Sequence, residues 1–212
     1  MKKTLLINTF LLTFIFLFNS CSNKKNNTES ENSNTQKYIE KNITSGDFTV
    51  DTENSNIEWL GTKTTGSHNG NLLVQKGIIN IDENGVISKG KFILDMESIN
   101  CTDLVDKPDK KQYLEDHLKN ADFFDTASHP TAMFRITKVD NNTMSGVLTI
   151  KGISKEINFN YSQIAKLTYE AEIIVDRTLF DIKYKSKSIF PDIGDHFIDD
   201  NFTITLNPIV FK

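Results

Sequence analysis

From Gly46 onward, apolar and polar residues alternate with a period of two, and this pattern limits the possible folds more than any other feature of the chain. In "KFILDMESI", Phe92, Leu94 and Met96 alternate with Ile93, Asp95 and Glu97; in "EINFNYS", Ile157, Phe159 and Tyr161 alternate with Glu156, Asn158 and Asn160. "LTYEAEIIVD" places Leu167, Tyr169, Ala171, Ile173 and Val175 on one face, and "NFTITLN" sets Phe202, Ile204 and Leu206 against Thr203 and Thr205. Successive side chains of a strand point to opposite faces, so each run reads as a strand with one buried face. Turn signals separate the runs: "DENG" at Asp82–Gly85, "DNNT" at Asp140–Thr143 and "KGIS" at Lys151–Ser154. About eight antiparallel strands follow, in a sandwich or a closed barrel.

One interval departs from this period. In "DKKQYLEDHLKNA", Tyr113, Leu114, His117, Leu118 and Ala121 recur at helical spacing, and Asp109 with Gln112 has the spacing of a capping box. A single short helix between strands is predicted, with its apolar stripe on the sheet.

The ends set the cellular context. Lys2 and Lys3 precede an apolar stretch, Thr4–Phe18, broken by Asn8, Thr9 and Thr13. Such a stretch suits a secretory signal peptide over residues 1–20 better than a membrane anchor, which needs about 20 uninterrupted apolar residues. "LFNSC" resembles a bacterial lipobox, which implies a lipid-modified Cys21; an ordinary secreted protein with a stray cysteine is the alternative. Ser22, where an inner-membrane retention signal would place Asp, favours the outer membrane by the same resemblance. Residues 21–45 are almost all Ser, Asn, Thr, Glu, Lys and Gln. They bury too little to order themselves, and form a tether of roughly 25–30 Å mean reach. Residues 46–212 are one domain. With Cys21 modified, Cys101 has no partner in the chain, so stability comes from a packed core, and Cys101 is a small buried side chain. The formal charge of −4 becomes −6 once Lys2 and Lys3 are removed with the signal, and the bases are dispersed, which argues against nucleic-acid binding.

The stretch "HLKNADFFDTASHPTAMFRIT" invites an acid/base or metal reading. His117, Asp122, Asp125 and His129 lie close in sequence and are the candidates for a metal-dependent envelope enzyme. Against it, the two histidines are twelve positions apart on different elements, unlike the close pair that zinc sites use. In the alternative reading Phe123, Phe124 and Pro130 fix the helix-to-strand connection, and His117 packs or caps. No nucleophile elbow, P-loop or dinucleotide fingerprint occurs, and the pairs Asp199–Asp200 and Glu115–Asp116 read as solvated faces. The acidic stretch Asp192–Asp200 has no assigned role.

Three segments carry a family resemblance. "FTVDTENSNIEWLGTK" resembles the opening strands of the YceI-like family. "HLKNADFFDTASHPTAMFRIT" is similar to its His-Leu, Asp-Phe-Phe-Asp and Pro-led strand segment, and "GVLTIKGISKEINFNY" to its next strand–turn–strand landmark. "RTLFDIKY" and "GDHFIDDNFTITLN" fit the last strands more loosely, and "GSHNGNLLVQKG" departs from the plainer second hairpin of many members. The resemblance implies an all-β fold, an antiparallel lipocalin-like barrel of about eight strands. It also implies an exported protein that binds a polyisoprenoid, an isoprenoid quinone or a fatty-acid derivative, in a family not defined by a catalytic reaction, and with the lipobox resemblance the expectation is a lipid-anchored binding protein rather than an enzyme. No metal or cofactor is expected beyond that lipid-like ligand. The residues on the apolar parity are the candidate lining: Trp59, Phe92, Leu94, Met96, Phe134, Ile136, Phe159, Tyr161, Tyr169, Ile173 and Phe202. Packing alone explains each of them equally well, which leaves a solid-cored structural lipoprotein as a further alternative.

Overall fold

The structure, a computed structural model, describes residues 44–212. The expected signal peptide, Cys21 and the linker as far as residue 43 lie outside the described residues. Nine strands follow the alternating runs: β1 (Gly46–Thr49), β2 (Ile57–Lys63), β3 (Gly66–Ile81), β4 (Ile87–Cys101), β5 (Thr131–Asp140), β6 (Thr143–Ile150), β7 (Ile153–Ala165), β8 (Thr168–Asp176) and β9 (Ile198–Val210). Their order is β1-β3-β2-β9-β8-β7-β6-β5-β4, and pairing of β3 with β4 closes strands β2 to β9 into an eight-stranded antiparallel barrel. β3 spans 16 residues and serves two neighbours on one side, β2 through Gly66–Leu72 and β1 through Ile78–Ile81. Register shifts along its ladder with β4 bend it around the barrel.

The turns follow the predicted signals. β6 and β7 meet at Ile150↔Ile153, leaving Lys151 (φ 50°) and Gly152 (φ 73°) as a two-residue turn of the left-handed type that hairpins favour. One end of the barrel carries the β3–β4, β5–β6 and β7–β8 hairpins. The other carries helix α1 (Pro108–Lys119) and the segment between β8 and β9. At this second end the wall splays. β7 pairs with β8 only from Tyr161 onward, and the 3-10 turn Arg177–Phe180 packs against β7 there.

The helix differs from expectation in two respects. Lys107, not Asp109, is the N-cap and makes no side-chain cap bond, because its ammonium group offers no acceptor; Pro108 fills the first helical position, where a missing N–H costs nothing. Asp109 lies instead in the first turn, where its charge suits the helix dipole. The apolar stripe is also narrower: Leu118 is buried, but Tyr113 is 75 % exposed. Polar bonds attach the helix to β4. Glu115 Oε1 accepts the Cys101 N–H at 2.7 Å and pairs with Lys111, whose Nζ donates to Asn100 at 2.6 Å. Burial opposes the Glu115 charge, but Lys111 and the Cys101 amide outweigh it and hold its pKa down. Glu115 is therefore not on a solvated face, because it occupies the helix–strand joint. Cys101 is buried, and burial, together with the neighbouring Asp103 carboxylate, pushes its thiol pKa up.

Candidate ligand-binding cavity

The inward parity of the eight barrel strands does not close into a solid core. It encloses a cavity of ≈ 200 Å³ with an almost wholly apolar wall, to which every one of the eight contributes. Along β8 the lining residues run from Tyr169 to Val175, roughly 20 Å of strand at about 3.3 Å per residue. A linked set of rings forms part of the wall. Phe92 stacks on Phe134 at 6.4 Å, Phe134 meets Phe159 at 5.5 Å, and Phe211 stands edge-on to Phe92 and Tyr169 at 6.1 and 5.8 Å. Such ring pairs add to burial through their quadrupoles.

The helix end of the cavity is built differently. Arg177, at the end of β8, lines it and is 2 % exposed. Its Nε donates to the carbonyl of Asp199 (3.0 Å) and its terminal nitrogens to those of Ile182 (2.8 Å) and Ile198 (2.9 Å). The Phe123 ring lies 5.8 Å from the guanidinium carbon, and Asp200 Oδ1 lies 3.6 Å from Nη2. Burial lowers the pKa of this guanidinium, and Asp200, Asp176 and Asp199 oppose the shift; an arginine stays charged regardless. Burial also works against the Asp200 charge, but Ser186, Ser188 and Arg177 overcome it, so its pKa is lowered.

A model of the YceI-like domain matches residues 48–208. The chain belongs to the YceI-like family. Among solved structures it is similar to BcnA of Burkholderia cenocepacia, at 19 % identity and a TM-score of 0.55 over 76 % of this chain and 99 % of that one. It is also similar to a polyisoprenoid binding domain from Saccharophagus degradans, at 11 % identity and a TM-score of 0.53 over 78 % and 97 %. At these identities the likeness speaks for the fold. A comparison with curated proteins finds no match.

Ten of the eleven candidate positions lie on the cavity of this YceI-like domain: Trp59, Phe92, Leu94, Met96, Phe134, Phe159, Tyr161, Tyr169, Ile173 and Phe202. Ile136 does not. It is 5 % exposed, and a Cβ at Gly90 would fall 2.6 Å from its Cδ1, so it fills the space that this glycine leaves in the wall. The four His and Asp residues do not form a cluster. His117 Nδ1 is 3.8 Å from Asp122, its ring packs against Tyr184 (4.4 Å) and Phe123 (5.6 Å), and its Nε2 is buried without a partner. His129 lies instead against Gly152, and Asp125, at φ 49°, accepts the Ser128 and His129 amides through its carbonyl. Among the described residues no three His, Cys, Asp or Glu side chains converge as a metal site requires. Phe123 and Phe124 meet edge-on at 5.0 Å, both line the cavity, and the Pro130 carbonyl accepts the Met96 N–H at 2.9 Å. The stretch is thus a joint that closes one end of the barrel.

Sequence reasoning missed Arg177 and Phe211, and it misjudged Asp199–Asp200. Both carboxylates are half-buried, Asp200 against Arg177 and Asp199 with Oδ2 accepting the Thr62 hydroxyl. A signal was present. Arg135 and Arg177 are the only arginines of a lysine-rich chain, and an isolated Arg after a strand suits a site that needs its rigid fork of donors.

Proposed function

We propose that the domain binds an elongated apolar or amphiphilic molecule inside its barrel and sequesters or carries it without transforming it. A polyisoprenoid, an isoprenoid quinone or a fatty-acid derivative fits this description. The apolar cavity running between the strands carries the reading. An apolar void binds apolar guests rather than water, which needs two to four polar partners. The Saccharophagus relative described as polyisoprenoid binding supports the same ligand class. The site of action is the bacterial envelope, with export through residues 1–20 and anchoring through Cys21, and Ser22 favouring the outer membrane. The direct test is organic extraction of the purified full chain followed by mass spectrometry, together with titration of the sole tryptophan, Trp59, which lines the cavity. A co-purifying lipid and saturable quenching by an isoprenoid or acyl probe are expected. Absence of both refutes the proposal.

A further inference from the structure

The segment between β8 and β9 carries an apolar tip that the barrel core does not use. Ile189 and Phe190, adjacent and just before the 3-10 turn Pro191–His196, are 37 % and 48 % exposed. The tip stands on a fixed base. Ser186 is fully buried and bridges to Ile198 of β9. Its carbonyl accepts the Phe190 N–H at 2.9 Å and its hydroxyl the Ile189 N–H at 3.3 Å, while the Ser188 N–H donates to Asp200 Oδ2. A hydrogen-bonded turn therefore holds two large apolar side chains in water, and adjacent exposed apolar residues mark a contact surface more than scattered ones do.

The charges around the tip narrow what it contacts. Lys183, Lys185 and Lys187 alternate just before it. Lys183 pairs with Asp181. The Lys185 and Lys187 ammonium groups lie over the rings of Tyr184 (5.3 Å) and Phe197 (4.6 Å), and among the described residues neither forms a salt bridge. Phe190 shares a surface groove with Lys151, Lys183 and Lys185, three lysines against two aspartates, Asp122 and Asp181. Asp192 and Asp195 follow in the 3-10 turn, so the segment is no general basic patch. It offers an apolar point beside two ammonium groups whose stems run along aromatic rings.

We infer that this tip docks on a phospholipid bilayer. Ile189 and Phe190 enter below the headgroups, and Lys185 and Lys187 meet the lipid phosphates. A bilayer surface has this layering, an apolar interior under a plane of phosphates, and lysines with buried stems and wet heads suit its boundary. The docked segment also bounds the lumen, since Arg177 before it and Ile198 after it line the cavity. Apolar insertion supplies most of the attraction, because the chain as a whole is acidic. The inference goes beyond the lipid-binding reading and does not depend on which guest the barrel holds.

The test places a reporter at the tip, so that it reads docking whether or not the N-terminus is anchored. In the full chain with Trp59→Phe, Phe190→Trp supplies the single indole. On vesicles of phosphatidylcholine and phosphatidylglycerol with brominated acyl chains, its emission should shift to the blue and be quenched. The quenching should exceed by at least about twofold that of Val86→Trp, an exposed position in the β3–β4 hairpin at the opposite end of the barrel. Adding Lys185→Glu and Lys187→Glu should raise the lipid concentration for half the response at least about fivefold. If Trp59→Phe does not fold, the difference between Phe190→Trp and the parent, both keeping Trp59, gives the same reading. No quenching at the tip of the folded variant, or equal quenching at both ends, overturns the inference and leaves binding inside the barrel standing.

Discussion

Replacing Arg177 with Met keeps most of the side chain's length and removes its charge and fork. The residue is 2 % exposed and serves three carbonyls at 3.0, 2.8 and 2.9 Å. A carbonyl left without a partner costs on the order of 1 kcal/mol, the low end of the range, because its second lone pair can still find one. Asp200 Oδ1, buried without a hydrogen bond, loses its compensating charge. Breaking a buried ion pair costs roughly 3–5 kcal/mol in all, and the 20 % exposure of the Asp200 side chain lets water recover part of that. The expected loss for R177M is about 3–4 kcal/mol, against a total stability of about 5–15 kcal/mol for a domain. Urea denaturation at neutral pH followed by circular dichroism measures it. Adding Asp200→Asn to R177M should restore roughly 1–2 kcal/mol, since the stranded charge is gone. A loss below about 1 kcal/mol for R177M, or no recovery in the double variant, refutes the account of Arg177 as the buried tie between β8 and β9.

Three further outcomes follow from the same structure. Asp103 has its pKa held at about 2, since burial, which alone would raise it, is outweighed by bonds from Cys101, His68 and the Asn69 amide. A depressed carboxylate stabilises above its unfolded pKa and stops doing so as pH falls toward about 2, so Asp103→Asn should flatten the acid limb of stability below about pH 4 by on the order of 1 kcal/mol after screening. His117→Phe removes the orphaned Nε2 and keeps a ring against Phe123 and Tyr184; its urea midpoint should rise, by about 1 kcal/mol of stability, and metal content by elemental analysis should not change. At Gly70 an added Cβ would lie 1.9 Å from the Asn100 carbonyl oxygen and 2.6 Å from the Trp59 ring. Gly70→Ala should therefore cost about 1–3 kcal/mol and shift the Trp59 emission, which a spectrum of the soluble variant reads directly.

Much of the wall could be read from parity. Phe92, Leu94 and Met96, or Phe159 and Tyr161, share a face because a strand's side-chain period is two wherever the strand sits, so ten positions on the cavity follow from local pattern. The same parity places Ile136 inward and says nothing of Gly90, whose missing side chain gives that isoleucine a seat away from the lumen. The helix also followed from local spacing, although its cap did not. The helix begins at Pro108, which puts Asp109 inside its first turn rather than at the cap, and partners on β4 drew Glu115 into the joint.

Alternation, turn chemistry and the one helical interval are properties of neighbouring residues, and the sequence by itself determined from them a run of antiparallel strands with an apolar inner face. Whether that face would be filled or hollow depended on the pairing of β3 with β4, which closes the ring. Pairing across long separations also decided the polar end. A break between β2 and β9 sets Asp199, Asp200 and Asn201 opposite Thr62 alone. The carbonyls of Ile182, Ile198 and Asp199 gather around a buried Arg177. No local pattern encodes these contacts, because each is fixed by which backbones meet once the barrel has closed.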